Sequence, residues 1–205
     1  MNIIRTYTIH LLLIFHIVGV LIFAYLQYAP NISYLMIALS SLLVLINEPK
    51  TLKSIILFSL IFVLGFIIEL IGVQTALLFG EYHYQPAMGP QLMSTPIFIG
   101  VTWYTVVVGA TNVTRKTNYS IWIKAILAGV LAVGLDFLIE RVAISYGFWS
   151  WDNGYVPIYN YLCWFIFSVI FSFIYLYFQK SINRPSFYLY IVWIIFFTLL
   201  ILIKT

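Results

Sequence analysis

Residues 135–165 read LDFLIERVAISYGFWSWDNGYVPIYNYLCWF, and the rest of the chain is best interpreted from this stretch. Three ionisable residues, Asp136, Glu140 and Arg141, lie in an otherwise apolar run that predicts a helix. The aromatic turn Tyr-Gly-Phe-Trp-Ser-Trp follows, and a second apolar run begins at Pro157. Charged groups are costly inside a membrane span and usually face the protein interior. The stretch therefore predicts a polar site between two membrane helices.

The composition indicates a membrane protein. The chain has 205 residues, of which 63% are hydrophobic and 8% charged, and its mean hydropathy is +1.05. Soluble domains carry about 25% charged residues, so we predict a single, all-α integral membrane domain over residues 1–205. A spanning helix needs about 20 apolar residues. The apolar runs predict about seven transmembrane helices, at residues 7–27, 32–46, 54–78, 92–110, 121–144, 157–178 and 187–203.

The basic residues are distributed unevenly over the predicted loops. With seven spans, eight of the ten lie on the side of the N-terminus, and only Arg141 and Lys204 lie towards the other side. The positive-inside rule therefore predicts a cytoplasmic N-terminus and a C-terminus outside. The net charge of +4 is spread over these short loops, so it does not indicate a nucleic-acid partner.

Two stretches match at a constant offset, which predicts an internal repeat. Glu69 and Asp136 each lie eleven residues before a glycine, and aromatic residues follow that glycine at +2 and +4. Each unit then continues with Pro-x6-Trp. The matching residues are Tyr82, Tyr84, Pro96 and Trp103 in one unit and Trp149, Trp151, Pro157 and Trp164 in the other. The units, about 54–113 and 119–180, contain spans three–four and five–six. They would have the same orientation, as in the parallel repeats of membrane proteins.

Packing about a two-fold axis would bring Glu69 and Asp136 to one cavity roofed by the aromatic loops. A carboxyl group in a low-dielectric cavity tends to keep its proton and can act as an acid near neutral pH. Glu140 lies one turn from Asp136 and can share a proton with it, and aromatic faces stabilise cations. These features predict a site that protonates an alkene and holds the tertiary cation. The alternative is a buried polar network joining spans three, five and six, with Asn160 as a partner.

Other polar and aromatic residues have simpler interpretations. Arg141 either neutralises one acid or extends to the outer interface. Glu81 and His83 are expected to be solvated loop residues, and Trp122 and Trp193 are expected in the interfacial aromatic belt. The histidines and the single cysteine are scattered, so no zinc site is predicted. Phosphate-binding glycine loops and nucleophile elbows are absent from the sequence, and we expect no metal or cofactor.

These motifs resemble those of the CruF-type carotenoid biosynthesis membrane proteins. The resemblance covers about residues 65–165, roughly half of the chain. It rests on Glu69, Gly72, Val73, Thr75, Phe79, Gly80, Tyr82, Tyr84, Gly89, Pro90, Pro96 and Trp103, and on Asp136, Glu140, Gly147, Phe148, Trp149, Trp151, Pro157, Asn160 and Trp164. The family pattern often has Asp-Pro where this chain has Glu140-Arg141, which keeps the carboxyl group and adds a charge.

The family includes carotenoid hydratases, which add water across the terminal 1,2 double bond of an acyclic end group and give a tertiary alcohol. The resemblance implies such a hydro-lyase, which needs no cofactor and acts on a C40 carotenoid in a bacterial inner membrane, alongside other carotenoid-pathway enzymes. In this hypothesis Asp136 or Glu69 donates the proton, and Glu140 orients the water. The expected substrate-binding residues are Tyr82, Tyr84, Trp103, Trp149, Trp151, Asn160 and Trp164.

Two alternatives remain open at this point. A carotenoid end-group cyclase would use the same protonation but lose a proton from the closed ring instead of capturing water. A small proton-coupled transporter or lipid-binding membrane protein would use Glu69 and Asp136 as proton-coupling sites. The sequence does not distinguish hydration from cyclisation, and it does not specify the carotenoid.

Overall fold

The computed structural model describes residues 3–204, with side chains from residue 5, and most of these residues are helical. Seven helices lie in this described part of the chain: α1 (Ile3–Leu26), α2 (Tyr34–Ile46), α3 (Leu52–Thr75), α4 (Phe98–Thr114), α5 (Ile121–Tyr146), α6 (Ile158–Phe178) and α7 (Arg184–Lys204). Five of them are long and apolar enough to cross a membrane, and the shorter apolar helices are α2 and α4. The predicted all-α membrane fold is confirmed.

The shorter helices differ from the predicted spans in length. Helix α2 has 13 residues, which at about 1.5 Å per residue gives roughly 20 Å, less than the ~30 Å hydrocarbon core. The predicted start of the fourth span at residue 92 is wrong, because α4 begins at Phe98. The intervening residues form a tight hairpin of β2 (Gln91–Leu92) and β3 (Thr95–Pro96). Its two turn residues, Met93 and Ser94, have φ of 51° and 60°, as two-residue hairpin turns require.

The two helices that carry the predicted acids end in the same way. Helix α3 is followed by Ala76 at φ 55°, and α5 is followed by Gly147 at φ 78°. In each case the amide of this left-handed residue donates to a carbonyl four residues earlier, Gly72 or Ala143, which satisfies a free carbonyl at the helix end. At both helix ends the chain therefore turns sharply into an aromatic loop.

Helix α4 is the centre of the bundle, and fourteen of its seventeen residues are buried. Its approach to α3 depends on glycine. A Cβ atom added at Gly65 would lie 2.7 Å from the Cβ of Trp103, and one at Gly100 would lie 2.5 Å from the carbonyl oxygen of Phe62. Small residues at such contacts let membrane helices pack closely. The glycines thereby place Trp103 directly beside α3.

Two short strands from the aromatic loops pair across one end of the bundle. Strand β1 (Tyr82–Tyr84) is antiparallel to β4 (Trp149–Trp151). The register pairs Tyr82 with Trp151, His83 with Ser150 and Tyr84 with Trp149. We call this two-stranded element the ribbon and this end of the bundle the ribbon end.

Residues that the predicted repeat makes equivalent contact each other. Trp103 and Trp164 stack with ring centroids 3.8 Å apart and an interplanar angle of 8°. In the ribbon, the first aromatic residue of each loop lies opposite the second aromatic residue of the other loop. A two-fold axis through the ribbon and the tryptophan pair produces this arrangement, because it reverses the direction of the equivalent strand. These contacts are those expected of two units with one orientation in the membrane.

A second polar cluster lies at the opposite end of the bundle, which we call the Glu48 end. Glu48 follows α2 and is 4% exposed. Its carboxyl oxygens accept hydrogen bonds from the Tyr175 hydroxyl at 2.6 Å, from Gln179 Nε2 at 3.0 Å and from Asn183 Nδ2 at 2.7 Å. These donors come from α6, from the residue that follows it and from the linker before α7. Glu48 therefore joins the ends of three helices.

Candidate functional site

A cavity lies inside the bundle at the ribbon end, and all seven helices contribute side chains to its wall. Its empty space is about 950 Å³, including the part that opens to the surroundings. Of the ten residues predicted for the site, nine line this cavity: Glu69, Tyr82, Tyr84, Asp136, Glu140, Trp149, Trp151, Asn160 and Trp164. Trp103 is 0% exposed and lies behind the wall, stacked on Trp164.

Glu69 is held by three donors. Its Oε2 atom accepts hydrogen bonds from the Tyr82 hydroxyl at 2.6 Å and from the Tyr84 hydroxyl at 2.9 Å. Its Oε1 atom accepts a hydrogen bond from Trp103 Nε1 at 2.9 Å. A carboxylate has about four acceptor positions, so these donors leave little room for another partner. Glu69 is thus fixed by its own loop and by α4.

Glu140 is held by the second aromatic loop. The indole nitrogens of Trp149 and Trp151 both donate to its Oε2 atom, each at 2.9 Å. An indole nitrogen can only donate a hydrogen bond, so Oε2 must remain an acceptor. No described residue donates to the Oε1 atom, which leaves that atom available for a proton or a water molecule.

Asp136 is the least restrained of the three carboxyl groups. It lies one helical turn before Glu140 and is 2% exposed. Within the described residues, its single hydrogen bond comes from Asn160 Nδ2 to Oδ2 at 3.2 Å. This bond links α5 to α6, as the polar-network interpretation requires. That interpretation does not, however, require the cavity into which Asp136 faces.

The two loops differ in which acid they contact. The tyrosines of the first loop bond to Glu69, whereas the tryptophans of the second loop bond to Glu140 and not to Asp136, the counterpart of Glu69 in the repeat. A tyrosine hydroxyl lies at the far end of its ring, whereas an indole nitrogen lies closer to the backbone. The tryptophans therefore reach an acid that is four residues, about 6 Å, nearer the ribbon. Asp136 is left free for another partner.

The tyrosines that bind Glu69 are themselves in a buried environment. Burial first, and then the charge of Glu69, raises the pKa of Tyr82 well above its usual value. The same two causes raise the pKa of Tyr84 well above its usual value. Both hydroxyl groups consequently remain protonated, and remain donors, throughout the physiological pH range.

The polar residues on the outer side of the ribbon do not contribute to the cavity. Side chains alternate between the two faces of a strand, and His83 therefore points away from the cavity while its neighbours point into it. Its Nε2 atom lies 3.2 Å from a carboxylate oxygen of Asp152, with side-chain exposures of 69% and 40%. Glu81 is also exposed. These residues occupy the solvated loop position expected for them.

Arg141 follows the second of its two expected arrangements. It is exposed, and its guanidinium carbon lies 4.7 Å from the ring centroid of Phe137. Within the described residues, no carboxylate lies within salt-bridge distance of it. Arg141 therefore extends to the surface and does not neutralise the acids of the cavity.

The cavity also has a wall that the sequence did not reveal. Helices α1, α2 and α7 contribute Phe23, Met36, Phe196 and other apolar side chains. Trp193 was expected in the interfacial belt, but this assignment is wrong, because Trp193 is 5% exposed and lines the cavity. Its Nε1 atom donates to Nε2 of His16 at 2.9 Å. Trp122, in contrast, is 63% exposed, as an interfacial residue would be.

The cavity thus combines three carboxyl groups with an otherwise apolar and aromatic lining. The described residues contain no group of three histidine, cysteine or acidic side chains arranged to hold a metal ion. The three carboxyl groups are the titratable groups that line this apolar space together with Tyr82 and Tyr84.

Comparison with known proteins assigns the chain to a family. The family described as "carotenoid biosynthesis protein" matches residues 10–205, which is almost the whole chain. Among curated proteins and among solved structures, nothing matches it significantly. The family and the cavity point to the same substrate class, since an aromatic pocket inside a membrane bundle suits a carotenoid. The chain therefore belongs to the carotenoid biosynthesis protein family, and it is an integral membrane protein that acts in carotenoid biosynthesis.

Proposed function

We propose that this protein is a carotenoid hydratase, a hydro-lyase that adds water to the terminal 1,2 double bond of an acyclic carotenoid end group. The observation that carries the proposal is the cavity in which Asp136, Glu69 and Glu140 face one apolar, aromatic space. Hydration of an alkene needs an acid, a pocket that tolerates a carbocation and a water molecule. It needs no electron transfer and therefore no redox cofactor.

Asp136 is the proposed proton donor. It accepts one hydrogen bond, whereas Glu69 accepts three. A carboxyl group whose oxygens are occupied by donors is a poor acid, because its proton would have to displace one of them. In the proposed first step the π bond of the alkene breaks, and its electrons form a C2–H bond with the proton of Asp136. The positive charge then lies on the tertiary carbon C1.

The surrounding groups would stabilise this cation. The carboxylates of Glu69 and Asp136 supply negative charge, and the rings of the ribbon supply aromatic faces, which attract cations. Trp103 and Trp164 support this wall through their stacked rings. Glu69 is fixed by three donors, and its proposed role is therefore electrostatic.

Glu140 is the proposed partner of the water molecule. Its Oε2 atom is held by the two tryptophans of the second loop, while no described residue donates to Oε1. In the second step a water oxygen forms the C1–O bond, and Glu140 takes the proton that this oxygen releases. Proton exchange with the neighbouring Asp136 then restores the starting state. The net change is the addition of one water molecule.

The test is the mass of the product in a host that makes an acyclic C40 carotene. Wild-type protein should yield a pigment about 18 Da heavier per hydrated end. Asp136→Asn should reduce that product by about 100-fold or more, as expected for loss of a general acid, at equal membrane abundance. Undiminished hydration by this variant would remove Asp136 from the acid role. A product of unchanged mass but altered retention would identify cyclisation and contradict the hydratase.

We also propose that the ribbon end faces the outside of a bacterial inner membrane. Lys50, Arg115, Lys180 and Arg184 lie in or beside loops at the Glu48 end, where the positive-inside rule favours the cytoplasm. Alkaline phosphatase fused after residue 205 should be active. A fluorescent protein fused at the same position, and exported by the same route, should not fluoresce. The opposite pair of results would show that the ribbon end faces the cytoplasm.

A further inference from the structure

The wall of the cavity opposite the carboxyl groups comes from α1, α2 and α7, and the described residues that line it offer no free polar group. Most of its side chains are aliphatic or aromatic. The Ser33 hydroxyl donates to the carbonyl oxygen of Pro30 at 2.7 Å, and the Trp193 indole nitrogen donates to His16 at 2.9 Å. This wall therefore suits a hydrocarbon chain and not a polar ligand.

The cavity reaches the lipid-facing surface beside α2. Ser33, Met36 and Ile37 line it and are all half-buried rather than buried. Of the lining residues on the neighbouring helices, Phe23 of α1 and Phe196 of α7 are only 5% and 4% exposed, and Phe197 of α7 is half-buried. Helix α2 is also the shortest of the described helices, so it leaves part of the membrane depth uncovered.

The ribbon covers the cavity on the side of the membrane surface. The amide of Asp152 donates to the carbonyl oxygen of Glu81 at 3.1 Å, and the amide of Gln85 donates to that of Phe148 at 2.8 Å. These bonds extend the pairing of β1 and β4 at both ends. A long apolar molecule would therefore reach the acids sideways from the bilayer and not through the ribbon.

Met36 occupies the position where the apolar wall meets the lipid. Its Sδ atom would lie 2.9 Å from a Cβ atom added at Gly19, and the Phe196 ring would lie 3.2 Å from the same atom. The absence of a side chain at Gly19 thus makes room for both. Methionine is flexible and adapts to irregular apolar surfaces, so its side chain can move aside for a passing chain.

We propose that Met36 and Ile37 form a lateral opening through which a linear isoprenoid chain enters. The reacting end then lies between Asp136 and Glu140, and the rest of the chain runs out beside α2 into the bilayer. The identity of the chain as a carotenoid end rests on the proposed function, but the opening itself is a binding feature. It can therefore be tested without turnover.

The first test measures retention of an acyclic C40 carotene, lycopene, by purified protein in lipid nanodiscs, from its visible absorbance after gel filtration. Met36→Trp should fill the opening and reduce retained carotene at least fivefold relative to wild type. Leu35→Trp is the matched control, because Leu35 is the preceding residue, is 43% exposed and does not line the cavity. Equal retention by Met36→Trp and wild type would overturn the proposal, and so would an equal loss in both variants.

The second test does not depend on a bulky substitution. Met36→Cys in a Cys163→Ala background should react with an apolar maleimide, and bound lycopene should slow this labelling at least threefold. Leu35→Cys in the same background should label at the same rate with and without lycopene. Protection of both positions, or of neither, would contradict an opening at Met36.

Turnover separates this proposal from the proposed function. If the protein hydrates carotene, Met36→Trp should lower the rate for the C40 substrate at least tenfold more than for a C10 alkene with the same isopropylidene end, because the short chain ends before α2. Equal losses for both substrates would contradict the opening. Retention and protection without any hydration would support the opening and contradict the hydratase.

Discussion

Buried carboxyl groups lie at both ends of this bundle, and their surroundings differ. At the Glu48 end, Glu48 accepts hydrogen bonds from Tyr175, Gln179 and Asn183, which join the ends of α2, α6 and α7. At the ribbon end, Glu69 is held in a similar way by three donors, but Asp136 is bonded only to Asn160 and faces the cavity. Glu48 is not part of that cavity wall.

Burial alone does not distinguish a structural carboxyl group from a reactive one. Glu48 and Asp136 are almost equally hidden, at 4% and 2% exposure. A carboxyl group saturated by donors from several helices fixes those helices, because each unpaired donor would be costly in the membrane. A carboxyl group with unused acceptor capacity beside a cavity can exchange its proton with a ligand. The number of donors and the adjoining space, taken together, separate the two roles.

The largest expected effect is on the stability of the Glu48 end. Glu48→Ala removes the acceptor of three buried hydrogen bonds, although Gln179 and Asn183 each keep a second acceptor. Each lost bond contributes about 1 kcal/mol or more, so the free energy of unfolding should fall by about 3 kcal/mol. Denaturation in mixed detergent micelles measures it. Glu48→Gln is the matched variant and should lose less, since its amide oxygen still accepts. Hydration per folded molecule should stay at the wild-type level. A loss of turnover without a loss of stability would contradict a purely structural role for Glu48.

The next effect concerns the proposed water-binding role of Glu140. Glu140→Gln should reduce hydration roughly 10- to 100-fold, less than Asp136→Asn, because it removes a proton acceptor but not the acid. Its amide oxygen can still accept from Trp149 and Trp151, so carotene retention should not change. A variant that retains full activity would exclude Glu140 from proton transfer. A loss of retention equal to the loss of rate would instead make it a binding residue.

A smaller effect is expected for the hydrogen bonds to Glu69. Tyr82→Phe removes one of three donors to this carboxylate and should lower the free energy of unfolding by about 1 kcal/mol, with an upper range of about 3 kcal/mol for a bond to a charged group. Hydration should fall less than tenfold. His83→Phe is the matched control from the same strand, because its side chain points outward. Equal effects of the two substitutions would show that the ribbon, and not the bond to Glu69, is responsible.

The smallest expected effect is a pH dependence of the stability that the hydrogen bond from Tyr82 to Glu69 contributes. The pKa of Tyr82 is raised in the folded protein by burial and then by the charge of Glu69, whereas an unfolded tyrosine titrates near about 10. The stability from this group is fully present below about pH 10 and is lost as the pH rises from there towards the raised pKa. The stability difference between wild type and Tyr82→Phe should therefore narrow above about pH 10. A stability difference between the two proteins that widens with pH would contradict this prediction.

The sequence predicted the helices and most of the site because their signals are local. Apolar runs predict spans, and the shared spacing from Glu69 and Asp136 to the aromatic residues placed both loops at one cavity. The hairpin before α4 was not predicted, because residues 91–96 carry no charge and directly precede the apolar run of α4. The role of Glu48 has no local signal in the sequence, because its donors are 127 to 135 residues away.

Other features could not be predicted because they depend on packing between helices. The apolar wall from α1 and α7 has no periodic polar pattern to mark it, and Trp193 resembles any other interfacial tryptophan in sequence. The second loop bonds to Glu140 and not to Asp136, because the donor atom of an indole lies closer to the backbone than that of a phenol. Such a difference of about one helical turn is decided by side-chain length and ribbon position, not by residue spacing.

The register of the ribbon has a consequence for how such a protein could originate. If the predicted units each cross the membrane twice, two copies fused head to tail would keep one orientation, and a half-length ancestor would form the same ribbon as a homodimer. In that ancestor Glu69 and Asp136 would be the same residue, which would have to serve both as proton donor and as fixed charge. Under the predicted repeat, gene duplication and fusion would let the copies diverge, and the different loops around Glu69 and Glu140 would be the result of that divergence.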